Sequence, residues 1–539
     1  VAQFFGSAQA GHFSTVGGLV SYGGPAEWSY RRFILHYATL CAMAGGVDAF
    51  CIGSELRGLT SVRGAGDVFP AVSALRQLAA DVRAILGPAT KISYAADWSE
   101  YGRYDDGAGN LYFHLDPLWA DPNIDFIGVD NYLPLSDWRE GDNHADAGWG
   151  SIYSLDYLKA NVAGGEYYDW YYGSPEERAA QVRSPIADDA YGETWVWRAK
   201  DFRGWWENPH FDRLDGKRQA SPSPWVPRSK PIWFTEFGCA AIDKGTNEPN
   251  KFVDPKSSES SLPHYSTGRR DDLVQMQYLR AVVDFWGDPA NNPVSPVYGQ
   301  PMIDIARAHV WAWDTRPFPQ FPANSSIWSD GANYAKGHWI SGRTSAQPLS
   351  SVVAEICAAS GLAAFDVSGL YGLVRGYSVG ENGPARGALQ PLMIAYGFDA
   401  VEREGQIVFR MRDQRESAVI SADQLAVGEN GGGFIETSRA TEAEIAGRVR
   451  LNFVEAEGDF ETRAVEAILP DEGTTGISQS EVPLSLTRAE GQRIVERWLA
   501  EARVSRDGAK FALPPSLGHL GVGDIVRLGA RGADTYRID

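Results

Sequence analysis

Cysteine is scarce in this chain: four in 539 residues, Cys41, Cys51, Cys239 and Cys357, with no CxxC or CxxH spacing among them. Neither a zinc site nor a disulfide framework is indicated, and buried, reduced thiols are expected. Also missing is any uncharged apolar run near the ~20 residues that a membrane span requires, so no transmembrane segment is predicted. Positive charge is in deficit, with 49 Lys and Arg against 69 Asp and Glu, a net charge of −20. Phosphate contacts would have to overcome that general repulsion. This argues against nucleic acid or an anionic lipid surface as partner and suits a neutral ligand such as a sugar. No signal-peptide pattern opens the chain. It begins at Val1 and stops at Tyr536 to Asp539 in what reads as mid-strand, so a fragment cut at both ends is expected. No metal or cofactor is expected.

What the sequence does contain is carboxylates in unusual company. Residues 231–239, PIWFTEFGC, are apolar and aromatic after a proline, broken by Glu236 and closed by Phe237-Gly238. That pattern predicts a buried parallel strand ending in a loop, with Glu236 at its C-terminal edge. A lone carboxylate there costs several kcal/mol unless it is paired or used. DAFCIGSELRGL, residues 48–59, has the same form: a short apolar strand, then Gly53-Ser54 and Glu55. Two strands of one sheet would each deliver a glutamate to the same edge, the arrangement that paired-carboxylate sugar hydrolysis needs.

The intervening chain supports one sheet. Residues 27–46 place Phe33, Tyr37, Leu40 and Ala44 at helical spacing, and Val72, Leu75, Leu78, Val82 and Leu86 mark a second helix over about 68–86, stopped by Gly87-Pro88. KISYAADW (91–98) and IDFIGVDNY (124–132) read as short apolar strands with polar ends. A helix over about 271–286 leads to a last strand within 306–318. Strand and helix alternate, which predicts an α/β fold with a parallel sheet. Residues 137–230 interrupt the pattern and are rich in Trp, Tyr, Gly and Asp, with YYDWYYG and WVW among them. Such an insertion is too long for an ordinary connection. Its aromatics either line a sugar groove or pack the insertion onto the sheet, the second at least as well supported as the first.

Seventeen of the 18 Trp precede residue 340, and only Trp498 follows it. A domain boundary is expected there, dividing 1–340 from 341–539. The second part reads as α+β: helices over about 349–360, 386–396 and 487–502, a hairpin in 398–413 around Glu404-Gly405, alternating strands in 448–469 and a turn-strand unit at 521–529. It carries no catalytic constellation and reads as a structural or docking region.

Enzymes built on parallel barrels place reactive side chains at strand C-termini. The strand ends here hold Glu55, Asp97-Trp98, Asp130-Asn131-Tyr132, Glu236, and Trp311 and Trp313 with Asp314. One glutamate would act as acid/base and the other as nucleophile. Tyr132 would orient the nucleophile, and a tryptophan of the last strand would offer a flat apolar face to a sugar ring. Ser54, Trp98, Asn131, Tyr132, Trp311 and Trp313 are therefore the expected substrate-binding residues, and Glu55 and Glu236 the catalytic pair.

Along GGVDAFCIGSELRGLT (45–60), IDFIGVDNYLPLSDWR (124–139), PIWFTEFGC (231–239) and HVWAWDTRPFP (309–319), residues 27–340 resemble the glycoside-hydrolase-like TIM-barrel domain in tail proteins of gene transfer agents and related tailed phages, often called host specificity proteins. The resemblance implies a (β/α)₈-type barrel in which Glu55, as acid/base, ends the fourth strand and Glu236, as nucleophile, the seventh. Only about 48 residues precede the Glu55 strand, so the early strands would be missing. Ser54 stands where many relatives have Asn beside the acid/base, which leaves a hydroxyl to bond the sugar's 2-hydroxyl. Through LVRGYSV (373–379) and ALQPLMIAYGFDAVEREGQIVFR (388–410), residues 345–539 resemble the tail-hub region of the same proteins. That likeness implies a particle's tail tip or baseplate, synthesis in the bacterial cytoplasm, other tail proteins as partners, a homotrimer, and a host-envelope glycan as ligand. Two functions stay open: a glycosidase that cuts cell-surface polysaccharide or peptidoglycan glycan, and an inactive barrel kept as a receptor-binding or structural module.

Overall fold

The computed structural model describes residues 1–539 except 255–259, 381–382, 413–415, 427–434, 442–445, 459, 470–475 and 530–534. Its α/β elements fall into two compact units, Val1–Thr315 with Ala332–Ile340, and Arg316–Gly331 with Ser341–Asp539.

The first unit is built on four parallel strands, β1 (Ala49–Ser54), β2 (Lys91–Asp97), β3 (Ile127–Asn131) and β4 (Ile232–Phe237), which pair in that order. All five residues of β3 are buried, as a strand covered on both faces requires. Gly128 is needed there for space: a Cβ would stand 2.4 Å from the carbonyl oxygen of Tyr94 on β2. Beyond β4 the sheet continues through His309 to Trp311, where Phe237 N donates to His309 O at 3.0 Å and Trp311 N to Phe237 O at 2.9 Å. The strand expected within 306–318 is thus reduced to a bridge at Val310. After Trp311 the backbone leaves β4, and Ala312 pairs with His338 and Ile340 instead.

Helix α1 (Tyr30–Met43) precedes β1, α2 (Pro70–Leu86) joins β1 to β2, and α3 (Asp272–Gly287) follows β4. Ser29 and Asp271 cap α1 and α3 by accepting from Arg32 N and Val274 N. The inward face of α1 differs from the one its spacing suggests. Ile34, Leu35 and Ala38 are buried, while Phe33 and Tyr37 are 57% and 49% exposed. Two apolar stripes lie on this helix at the same period, and the ion pair of Arg31 with Asp81 of α2 marks the inner one. The cysteines also depart from expectation: Cys239 and Cys357 are buried, but Cys51 on β1 is exposed and Cys41 partly so. No strand covers the far edge of β1 among the described residues.

The insertion at 137–230 folds into short helices, Leu155–Ala160, Pro175–Ala180 and Phe202–Glu207, and two-residue strand pairs, Trp170–Tyr171 with Ser184–Pro185 and Arg213–Leu214 with Lys217–Arg218. Tyr157, Val196, Phe202, Trp205, Trp206 and Trp225 are buried in the unit's core, whereas Trp149, Tyr171 and Tyr191 are exposed. Most of its bulky aromatics pack the insertion down.

In the second unit, helices Leu349–Ala359, Ala385–Tyr396 and Arg488–Val504 share one core with the strands Arg448–Glu455, Thr462–Ile468 and Ile477–Leu486. Thr487 and Glu490 form a reciprocal capping box at the start of the last helix. The expected hairpin is Phe398–Arg403 with Gln406–Met411, turning on Glu404 and Gly405 at φ 52° and 78°. Two successive positive φ values match the twist of a two-residue hairpin loop. Leu373–Val374 is a short strand, and the turn-strand unit at 521–529 gives Ile525–Leu528. Asp413 and Asp459, which fall in the expected hairpin and strands, lie outside the described residues.

Candidate active site

Both glutamates follow a break in strand register. The β1–β2 ladder shifts between Cys51 and Ser54, and the β4–β3 ladder between Phe234 and Glu236. Such irregularities re-aim the side chains beside them and recur next to active sites. Glu55 itself is held at φ 50°, a left-handed conformation that costs a non-glycine residue on the order of 1 kcal/mol, while its N–H donates to Ala95 O at 2.9 Å. Its side chain is exposed, that of Glu236 half-buried.

Between them lies Asp130, fully buried at the end of β3. Its Oδ1 accepts the Thr235 hydroxyl at 2.6 Å and its Oδ2 the Ser54 hydroxyl at 3.2 Å. Tyr132, two residues on, donates its hydroxyl to Glu236 Oε2 at 2.7 Å. On the other side, Arg57 Nη1 donates to Asp97 Oδ1 at 3.1 Å and to Ser99 Oγ at 3.0 Å. Glu100, also buried, accepts from the hydroxyls of Thr60 and Tyr94.

Four of these carboxyls are pushed up to about 7, Glu100 among them through burial. For Glu55 the cause is desolvation, then the charges of Asp130 and Asp97, with Arg57 pulling the other way. Desolvation leads for Asp130 too, followed by the Glu236 charge. Glu236 is raised by desolvation and by Glu55, against the Tyr132 hydrogen bond that favours its ionised form. The groups titrate as a coupled set, so near neutral pH protons are shared among them. One protonated and one ionised carboxyl flanking a substrate can act together as acid and nucleophile.

The structure thus brings Ser54, Glu55, Tyr132 and Glu236 into one cluster. Ser54 donates its hydroxyl hydrogen bond to Asp130, which leaves its oxygen as an acceptor. Asn131 is buried, and its side-chain oxygen takes the Leu133 amide at 3.4 Å. Trp98 packs on Tyr167, with ring centroids 5.4 Å apart, and helps line a small cavity of about 30 Å³ with Trp195 and Trp205. Trp311 and Trp313, 42% and 60% exposed, lie beyond the C-terminal end of β4. The sequence reading named Asp130 only as a polar strand end. The missed signal was a lone carboxylate in an otherwise apolar strand, the same reasoning that singled out Glu236.

An α/β unit with carboxylates gathered at one end of its parallel strands defines the class. Residues 28–322 match the family model described as the GTA TIM-barrel-like domain, and residues 384–539 match a phage tail protein model. The chain belongs to the gene transfer agent TIM-barrel-like family, with a phage tail domain after the barrel-like one. Among solved structures it is similar to a chain in the virion of a native gene transfer agent particle. The two are 63% identical over 39% of this chain and 48% of that one, with a TM-score of 0.38. This chain therefore spans about half the length of that relative. It is also similar to the GH113 β-mannanase AaManA from Alicyclobacillus acidocaldarius, 13% identical over 58% of this chain and 56% of that one, TM-score 0.26. A third likeness is to the 43 kDa tail protein of prophage MuSo2 from Shewanella oneidensis, 9% identical over 36% and 61%, TM-score 0.25. No curated protein matches the chain.

Proposed function

We propose that this protein is a tail-tip or baseplate component of a phage-like gene transfer particle, and that its first domain is a retaining glycoside hydrolase for host cell-surface polysaccharide or peptidoglycan glycan. Residues 1–340 form that domain as a (β/α)₈-type barrel with the insertion at 137–230. In it β1 to β4 are the fourth to seventh strands and His309–Trp311 the eighth. Residues 341–539 form the hub, which assembles as a homotrimer with other tail proteins. The observation that carries the reading is the placement of Glu55 and Glu236 at the C-terminal ends of parallel strands, with Asp130 bonded to the residue before each of them.

In the first step Glu236, ionised, attacks the anomeric carbon while Glu55 gives its proton to the departing glycosidic oxygen. In the second, Glu55 takes a proton from water as the water oxygen bonds to the anomeric carbon, and the bond from that carbon to Glu236 breaks to release the sugar. Retention requires the carboxyls ~5–5.5 Å apart. The Tyr132 hydrogen bond favours the ionised form of Glu236 against the burial that raises it, and Trp311 and Trp313 offer exposed rings to the glycan. Incubating the protein with host-envelope glycans should release new reducing ends. No release from any such glycan would favour a binding or structural module.

Tyr132→Phe separates geometry from charge. Loss of the hydroxyl removes a charge-assisted bond to Glu236, so the carboxyl becomes harder to ionise. The acid limb of the kcat/KM profile should move to higher pH, and the plateau should fall roughly 10-fold, since such a bond contributes ~1.5–3 kcal/mol. An unmoved acid limb would show that Tyr132 does not act on Glu236.

A further inference from the structure

Asp130 holds a place in this cluster that a neutral residue could fill with less loss of solvation. It is fully buried, and among the described residues no Lys or Arg pairs with it. A buried carboxylate without a cation is destabilising, whereas an asparagine could satisfy the same hydroxyls at a lower desolvation cost. Its two oxygens divide their bonds in a telling way. Ser54, on Oδ2, immediately precedes Glu55, and Thr235, on Oδ1, immediately precedes Glu236. Both donors sit at the register breaks of their strands. Asp130 is also the cross-strand partner of Glu236 on one side and of Asp97 on the other.

We propose that Asp130 is a positioning residue for both glutamates: it ties the Ser54 and Thr235 hydroxyls together, fixes the two register breaks relative to each other, and sets its negative charge between the Glu55 and Glu236 carboxyls. The role rests on the glycosidase reading for its catalytic meaning, but not for its electrostatics. The groups that face Asp130 are Cys51 on β1, Glu55 just beyond it, Asp97 on β2, Tyr132 beyond β3 and Glu236 on β4. Arg57 is the cation that acts on Glu55. Above the pH at which Asp130 ionises, ionising both glutamates as well would gather three negative charges, which favours keeping a proton on one of them. During glycosyl transfer the C1–O bond to the leaving group breaks as the C1–Oε bond to Glu236 forms. The leaving oxygen takes the proton of Glu55. One negative charge therefore passes from Glu236 to Glu55 across a fixed Asp130, and the total charge of the cluster is unchanged.

The test uses Asp130→Asn in the full chain, with two readouts. In carboxyl ¹³C NMR titrations of glutamate-labelled protein, which need no turnover, the Glu55 midpoint should fall by about one pH unit relative to the parent. On any glycan the parent cleaves, kcat/KM should fall about 100-fold, and the basic limb, which reports Glu55 losing its proton, should move to lower pH. A lowered midpoint in a protein that cleaves no glycan would sink the glycosidase reading while the coupling stands. Unmoved midpoints with an unmoved basic limb would overturn the proposal, whatever the activity. Should Asp130→Asn fail to fold, Thr235→Val keeps the charge and frees one oxygen. It is expected to raise the Asp130 midpoint and lower kcat several-fold, and no change in either would equally overturn the proposal.

Discussion

Glu236→Gln should abolish glycan cleavage, lowering kcat by about four orders of magnitude or more, as removal of a covalent nucleophile does. The amide is nearly isosteric and can still accept the Tyr132 hydroxyl at the position where Glu236 Oε2 takes it at 2.7 Å. The site should therefore stay assembled, and particles carrying the variant should still form, with delivery into encapsulated hosts reduced. The same change should raise stability at neutral and alkaline pH. The folded pKa of Glu236 lies above its ordinary value, near 7, so its favourable contribution is complete below about pH 4 and is lost as pH rises through 7. Against the parent, Glu236→Gln should melt a few degrees higher at pH 8, on the order of 1 kcal/mol, and at the same temperature near pH 4. Glu236→Gln particles that cleave the glycan and infect as well as the parent would make the barrel a binding or structural module.

Val353→Asp should act through the other unit and produce the largest loss of stability. Val353 is fully buried on the helix Leu349–Ala359, in line with Leu349 and Cys357 on the same core-facing stripe. An aspartate there would enter an apolar core and must be desolvated or protonated. The expected loss is roughly 3–5 kcal/mol, enough to drop the melting temperature of that unit by more than about 10 °C or prevent its folding. Thermal unfolding followed by far-UV circular dichroism reads the change directly. The two variants should dissociate: one folds and assembles without turnover, the other loses assembly. A Val353→Asp protein with the parent's melting curve would mean that this helix does not pack as described.

The parallel strands were legible because a strand covered on both faces leaves a nearly continuous apolar run, and a single carboxylate stands out against it. β3 and β4 show this plainly. The helical periods were legible too, although period alone does not say which of two apolar stripes faces inward. On α1 it pointed to Phe33 and Tyr37, whereas Ile34, Leu35 and Ala38 face the core and Arg31 on that side pairs with Asp81 of another helix. The register breaks before Glu55 and Glu236 left no trace in composition, since a bulge depends on the pairing strand. Asp130 stands out in β3 by the same pattern as Glu236 in β4, but the two hydroxyls that give it a role, Ser54 and Thr235, lie on other strands and could not be read from β3 itself. In the insertion, the density of tryptophan and tyrosine could not say whether rings faced glycan or core, because the same residues serve both.

The most direct measurement is covalent trapping. An activated 2-fluoro glycoside of the sugar released by the parent should stop turnover and add one glycosyl mass, and peptide mapping should place it on Glu236 within residues 231–239. Glu55→Gln should slow the labelling without moving it. A label on Glu55, or an unlabelled enzyme that releases product of inverted anomeric configuration, would contradict the assignment of Glu236 as nucleophile.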